Sequence, residues 1–321
     1  MTYLVTGGSG FIGSYVCMEL LKQNEKVVAV DYINHNVLQK IFTPEQREEI
    51  VIVDADFSDL SQVSRIMIDY KIDNIIHLGS WLHPYCNENP GKCAVRSNIM
   101  GQQVMLEAAR IFNVRKFVWA STSVVFGPVE KQKIIPVPND APHNHVNVYG
   151  ASKSFCEVMT LNYDKNWGID TLGLRYTIVY GPGRERGASR FFNNAIMNVA
   201  TGKPAVIKHS DDIIDWQFVK DIAKLTVKAS KVGRTKTRIF NTKCDVRKVT
   251  DGVEYLRKFF PNADIKLEPG KFGVAWDCDD SKLQEEIGFT PEFDMKKGIL
   301  EVINFARKEA DLSPLSIYER L

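Results

Sequence analysis

The chain has 321 residues, 41 basic against 39 acidic side chains for a net charge of +2, and 44% hydrophobic residues. A chain of this length buries roughly 75% of the surface its unfolded form exposes, enough for one large core or for two domains. No basic stripe is interleaved with aromatics and no apolar run approaches roughly eighteen residues, so neither nucleic acid nor a membrane is expected as a partner.

The first strand is expected to begin at Thr2 or Tyr3, which leaves no room for a secretory leader, and a cytoplasmic location is expected. Cys17, Cys86, Cys93, Cys156, Cys244 and Cys278 show no paired or repeating spacing, so they read as reduced thiols. His83, Cys86 and Cys93 are irregularly spaced and lack a fourth ligand, and no metal site is expected there.

In chain order, "TYLVT", "KVVAVD", "EIVIVDAD", "DNIIHLG", "RKFVWAST" and "DTLGLRY" read as strands buried on both faces, as parallel strands are. Helical stretches separate them: "FIGSYVCMELLKQN", "LSQVSRIMIDYK", "NIMGQQVMLEAARIFN" and "VYGASKSFCEVMTLNYDKN". Strand and helix alternating over residues 1–175 predict an α/β fold, a doubly wound parallel sheet of the Rossmann type, that binds a dinucleotide. After Arg175 the rhythm loosens through "YGPGRERGASR" and "GKPAVI", predicting a smaller α/β substrate domain from 176–214 and 244–321. "DWQFVKDIAKLTVKA" and "TRIFNT" are expected to return 215–243 to the main sheet, so that the domains interleave.

The turn after the first strand, "GGSGFIG", carries Gly7, Gly10 and Gly13 between strand and helix. Small residues there permit a tight turn, close backbone approach to a pyrophosphate and close helix packing, and the helix N-terminus offers amide donors. With Phe11 and Ile12 they form the expected phosphate-binding element. Asp31, ending the second strand, would accept hydrogen bonds from ribose hydroxyls and disfavour a 2′-phosphate, since Tyr32, Ile33 and Asn34 supply no positive charge. NAD is therefore expected over NADP. The competing explanation is a glycine turn beside a surface aspartate.

Tyr149 and Lys153 stand four apart, one turn on the same helix face. A lysine charge near the phenol favours the phenolate and brings its pKa toward the working pH, making Tyr149 a usable base. A Y-x-x-x-K pair also occurs on solvated helix faces.

The glycine turn, the Y-x-x-x-K pair, "NIIHLG", "ASTSVVFG" and "LRYTIVYGPG", in this order over nearly the whole chain, resemble the extended short-chain dehydrogenase/reductase family. The resemblance implies that Thr122 hydrogen-bonds the reacting oxygen and that Asn98 in "SNIMG" stands beside the catalytic group. It implies further that Asp56 and Phe57 hold the adenine, and that Gly79 and Ser80 pass the pyrophosphate or the nicotinamide ribose. Tyr149 would then remove a hydroxyl proton while hydride passes to NAD, with Lys153 holding the ribose and tuning the tyrosine. Ser123 has two open roles, a turn cap and a substrate contact.

The chain departs from the family's nucleotide-sugar epimerases. Ile178 stands where they carry an asparagine, Ile214 and Phe218 where "RDYIHV" has its arginine and histidine, and only Lys271 is near a second phosphate-binding position. Each lost charge-assisted hydrogen bond to a diphosphate is worth roughly 1.5–3 kcal/mol. Ser123 and Val124 follow Thr122 in place of the Asp and Glu of the 4,6-dehydratases.

A smaller alcohol or ketone is expected, in a pocket walled by Trp81, His83, Tyr85, Tyr176, Trp216 and Arg184 or Arg186. Arg184 would bind a carboxylate or sit in a solvated turn, and His83 is a pocket donor or a satisfied loop histidine. Three functions stay open: an NAD-dependent dehydrogenase of a small non-nucleotide alcohol, an epimerase that retains its NAD, and an NAD-sensing binding protein, against which the intact triad argues. The family often pairs the "NIMGQQVMLEAARIFN" and "SFCEVMTLNYDKN" helices across a two-fold axis, implying a homodimer, although burial within a monomer explains the same apolar stripes.

Overall fold

The computed structural model describes residues 1–32, 37–187 and 190–316. Ile33 and Asn34, read above as uncharged neighbours of Asp31, lie outside the described residues.

Seven parallel strands form the central sheet in the order β10-β6-β5-β4-β1-β2-β3. They are β1 (Thr2–Thr6), β2 (Lys26–Asp31), β3 (Ile50–Asp54), β4 (Asn74–His77), β5 (Lys116–Thr122), β6 (Thr171–Tyr176) and β10 (Ile239–Asn241). Apolar residues on both sides of each strand demand cover on both faces. Helices α1 (Phe11–Lys22) and α6 (Val219–Lys231) close one face over Val5, Ile76, Val118 and Leu172. Helices α2 (Leu60–Asp69), α3 (Gly101–Ile111) and α4 (Val148–Trp167) close the other over Leu4, Val28, Phe117 and Trp119. A wider helical stretch, Pro90–Met100, leads into α3.

Burial on both faces fails for one strand. β3 lies at the sheet's edge with only β2 beside it, and Val51 and Ile52 are exposed.

A second lobe is built on a three-stranded sheet of β7 (Ile178–Tyr180), β9 (Ile213–Phe218) and β11 (Val246–Lys248), and on the pair β8 (Ala205–Ile207) with β12 (Ile265–Leu267). Helices α5 (Arg190–Ala200), α7 (Val249–Phe259) and α8 (Met295–Glu309) contribute to its core around Tyr180, Trp216 and Phe218. The expected return at 215–243 is corrected at its start. Residues 215–218 belong to β9, which pairs with β7 and β11; only α6 and β10 rejoin the main sheet. No described helix is long and apolar enough to cross a membrane.

Candidate active site

The carboxyl ends of β1, β2, β4, β5 and β6 open onto one cleft of about 220 Å³, where an open parallel sheet presents loops and helix N-termini to a ligand. Its floor is the turn between β1 and α1. Gly7 has φ +67°, and its N–H donates to the Val30 carbonyl at 2.8 Å. A Cβ on Gly13 would stand 2.0 Å from the Gly7 carbonyl oxygen, so no side chain fits where the helix packs on the turn. Gly10 caps α1 without a side chain, and Gly7, Gly10, Phe11, Ile12 and Gly13 all line the cleft. Asp31 lines it too, and accepts a hydrogen bond from Ser9 Oγ at 3.0 Å.

The loop after β4 forms the next wall. Gly79 N donates to Thr6 Oγ1 at 3.1 Å, and Thr6 Oγ1 meets His77 Nδ1 at 2.6 Å. Burial, helped by the nearby Lys153 charge, pushes His77 down to about 3, so its imidazole is neutral. Gly79, Ser80, Trp81 and Phe57 line the cleft. The Phe57 ring packs against Gly79, where a Cβ would come within 2.5 Å of it. Trp81 Nε1 donates to Tyr32 OH at 2.5 Å, joining the loops after β4 and β2. Asn98 pins this loop from behind: its Oδ1 accepts from Trp81 N at 2.8 Å and its Nδ2 donates to Trp81 O at 2.9 Å. Asp56 is outside the cleft lining. Burial works against its charge, but hydrogen bonds from Ser58 and the guanidinium of Arg96, 2.9 Å away, hold it below the usual carboxylate range.

Thr122 ends β5, and Tyr149 and Lys153 face it from the first turns of α4, capped by Asn147 accepting from Gly150 N at 2.8 Å. All three line the cleft, and Thr122 Oγ1 accepts from Val124 N at 3.2 Å. Lys153 Nζ donates to the Ala120 carbonyl at 2.8 Å. The expected lowering of the tyrosine pKa is not seen. Burial dominates and raises the Tyr149 phenol well above its ordinary value, against the opposing effects of the Thr122 hydrogen bond and the Arg184 charge. Under this constellation lies a buried ion pair: Glu157 accepts from Arg175 Nη2 at 2.7 Å and from Ser121 Oγ at 2.6 Å.

On the second-lobe side, Arg184 enters the cleft after β7, its guanidinium 5.4 Å from the Phe11 ring centroid. Burial lowers it to about 10, partly offset by Tyr149. Arg186, Tyr85 and Tyr176 also line the cleft, but the Tyr176 hydroxyl is pinned by Thr226 Oγ1 at 2.7 Å. Trp216 is corrected from pocket wall to core: it is 1% exposed and packs edge-on against Tyr180 and Phe192. His83 is not among the lining residues. Ser123 is also absent from the lining and fully buried, its Oγ without a partner among the described residues. Ile178 and Ile214 are buried in the second-lobe core.

Sequence reasoning missed Thr177, which lines the cleft at the crossover between β6 and β7. Its Oγ1 donates to Asp215 Oδ2 at 3.0 Å and its N–H to Gln217 Oε1 at 3.1 Å. The only signal for it was its place beside Tyr176. Among the described residues no group of three or more His, Cys, Asp or Glu is gathered to hold a metal ion.

These residues fit a dinucleotide: a turn closed to side chains for the pyrophosphate, the Asp31 carboxylate for the ribose hydroxyls, and an ammonium at Lys153 near Tyr149. The chain is similar to the UDP-glucuronate 4-epimerase of Thermodesulfobacterium geofontis, 28% identical over 97% of both chains. It is similar to the UDP-glucuronic acid 4-epimerase of Bacillus cereus in complex with NAD, with 26% identity, 98% and 99% of the two chains covered and a TM-score of 0.78. The L-threonine dehydrogenase of Cupriavidus necator shares the fold, with a TM-score of 0.85 at 18% identity and 94% and 99% coverage. Residues 3–242 match the NAD dependent epimerase/dehydratase family, to which this chain therefore belongs, with NAD as its cofactor.

Proposed function

We propose that the protein is an NAD-dependent oxidoreductase acting on a secondary alcohol of a small, non-nucleotide acid. One observation carries this reading: half-buried Arg184, its Nε sealed from solvent, shares the cleft with Thr122 and Tyr149. An arginine in the same cleft as a proton-transfer group suits a substrate carboxylate, which it binds bidentately.

Gly7, Gly10, Gly13, Asp31 and Lys153 would hold NAD, which when bound supplies the hydride acceptor. Thr122 orients the substrate oxygen. Tyr149 takes its proton, with the Arg184 charge opposing the burial that raises the phenol. We assign cofactor binding to 1–175 with the returning α6 and β10, and substrate binding to 176–214 and 244–321. The cytoplasm is assigned on six unpaired thiols, five of them buried. A homodimer is assigned on the exposed apolar side of α4, where Phe155, Val158 and Leu161 are 54%, 64% and 43% exposed; Phe155→Lys should then yield a monomer in light scattering.

The second reading, epimerisation of a nucleotide-linked sugar acid, is favoured by the names of the relatives spanning the full chain. Arg184 would meet the uronate carboxylate there. NADH absorbance with excess NAD and a panel of hydroxy acids, sugar acids and polyols, beside Tyr149→Phe, tests the first reading. NADH formed by the parent and absent in the variant supports it. No NADH, tightly retained NAD and isomerisation of UDP-glucuronate would replace it with the second.

A further inference from the structure

The hydrogen bond from Trp81 Nε1 to Tyr32 OH crosses the cleft, and the sheet order defines what it crosses. Tyr32 directly follows β2, Trp81 follows β4, and β1 lies between those two strands. Neighbouring strands stand about 4.8 Å apart, so the two side chains close a gap of about 10 Å over the carboxyl end of β1, where the glycine turn begins. Both line the cleft and both are half-buried.

The backbone that carries these rings is held firmly. Asn98 grips Trp81 through its N–H and its carbonyl, at 2.8 and 2.9 Å, and Gly79 is tied to Thr6 Oγ1 at 3.1 Å. Arg96, two residues before Asn98, ties in the loop after β3 through Asp56 at 2.9 Å. The rings themselves are held by less. Trp81 meets Tyr85 edge-on with centroids 5.5 Å apart, Tyr32 lies tilted against Phe57 at 6.2 Å, and a single hydrogen bond of 2.5 Å joins the two ring tips. Rotation about the side-chain torsions is enough to part them. An indole N–H can only donate, so the phenol oxygen accepts, and removing either partner breaks the bond.

We propose that Tyr32 and Trp81 are the two halves of a gate over the dinucleotide, and that the hydrogen bond between them sets the rate at which NAD enters and leaves the cleft. The inference rests on the assignment of NAD to the glycine turn and Asp31, and it holds for either reading of the chemistry, since both need NAD there. Because both partners of the bond are protein groups, it acts on passage and not on affinity: breaking it lowers the barrier in both directions. Neither partner is charged, so the gate is insensitive to salt.

The test follows NADH fluorescence in stopped flow, on mixing with the protein for association and on chasing the NADH-loaded protein with excess NAD for dissociation. Tyr32→Phe keeps the ring and loses the hydroxyl. It should raise both rate constants about three- to tenfold, the worth of one neutral hydrogen bond, and leave Kd within about twofold of the parent. Trp81→Phe, which loses the donor, should do the same, and the double variant should be no faster than either single one. ADP-ribose keeps the pyrophosphate and the ribose assigned to Asp31 but has no nicotinamide, and its displacement by NADH should quicken by the same factor. Unchanged rates in Tyr32→Phe overturn the gate. Faster dissociation alone, with Kd weakened in proportion, makes the phenol a direct contact of the cofactor and also overturns it, as does a double variant whose effect is the product of the singles. If Gly13→Ala leaves NAD binding unchanged, NAD does not lie on the glycine turn, and the gate falls with that placement.

Discussion

The two sides of the cleft are made differently. The side assigned above to the cofactor is largely backbone: a turn closed to side chains, amides at the start of α1, and one carboxylate at a strand end. The side assigned above to the substrate is made of side chains from three separate stretches: Trp81 after β4, Thr177 and Arg184 on either side of β7, and Asp215 and Gln217 behind them on β9. Backbone sites need particular residues at fixed short spacings, whereas side-chain sites need only that the fold converge. The first kind constrains the sequence locally; the second constrains it through topology.

Tyr149 belongs to both sides, so its removal should have the largest effect and should not distinguish them. Tyr149→Phe is expected to lower kcat about 10³-fold, as loss of a positioned general base does. NAD affinity measured by calorimetry should stay within about twofold of the parent, because the substitution leaves the glycine turn and Asp31 untouched.

Glu157 supports the place where the sides meet. It joins α4 to β6 through Arg175 and to β5 through Ser121, directly beneath Lys153 and Thr122. Burial opposes its charge, yet the hydrogen bonds from Arg175 and His143 bring its pKa down to about 2. A carboxyl depressed in the folded state contributes stability that is present above its unfolded value of 4.5 and lost as pH falls toward about 2. Glu157→Gln should cost roughly 3 kcal/mol in denaturant unfolding at neutral pH, since it strands a buried guanidinium. The gap between parent and variant should narrow steadily on acidification through that window; a constant gap would mean that packing, not charge, supplies the effect.

Two substitutions separate the sides. Gly13→Ala forces a Cβ against the Gly7 carbonyl and should weaken NAD binding about 10–100-fold, the equivalent of roughly 1–3 kcal/mol of overpacking. Arg184→Met should raise the KM for the acid by a similar factor, about 10–100-fold, through the lost charged hydrogen bonds, with NAD affinity unchanged. An equal loss of NAD affinity in both variants would abolish the distinction between a cofactor side and a substrate side.

The legibility of the sequence follows the same division. That Gly7, Gly10, Gly13, Asp31, Tyr149 and Lys153 line one cleft was readable because they stand at strand ends and helix starts at short, regular spacings, and the parallel sheet followed from apolar runs alternating with helices. Trp216 was misread as a pocket wall because an aromatic near a substrate loop looks the same in sequence whether it faces the cleft or the Tyr180 and Phe192 rings. Thr177 was overlooked because its meaning depends on Asp215, which lies on another strand of another sheet. The exposed edge at β3 needed strand order, which the apolar pattern alone does not contain. The tyrosine pKa was argued from one nearby charge, while burial, a property of the whole fold, decides its direction.

The smallest effect is expected where the sides touch at the surface. Lys40, on the short helix Val37–Ile41, pairs with Glu185 at 2.5 Å, and the two side chains are 38% and 49% exposed. Beside them a Cβ on Gly183 would come within 2.7 Å of Val37 Cγ1, so the segment after β2 and the loop after β7 are already in van der Waals contact across the cleft mouth. Water screens an ion pair this exposed, and Lys40→Ala should change stability by about 0.5 kcal/mol or less. Packing at Gly183, not charge at Lys40, then holds the mouth together. The NAD dissociation rate should consequently be insensitive both to Lys40→Ala and to added salt. A rate that rises with salt in the parent, and is already high and salt-independent in the variant, would instead make this ion pair a gate through which the substrate side controls the cofactor side.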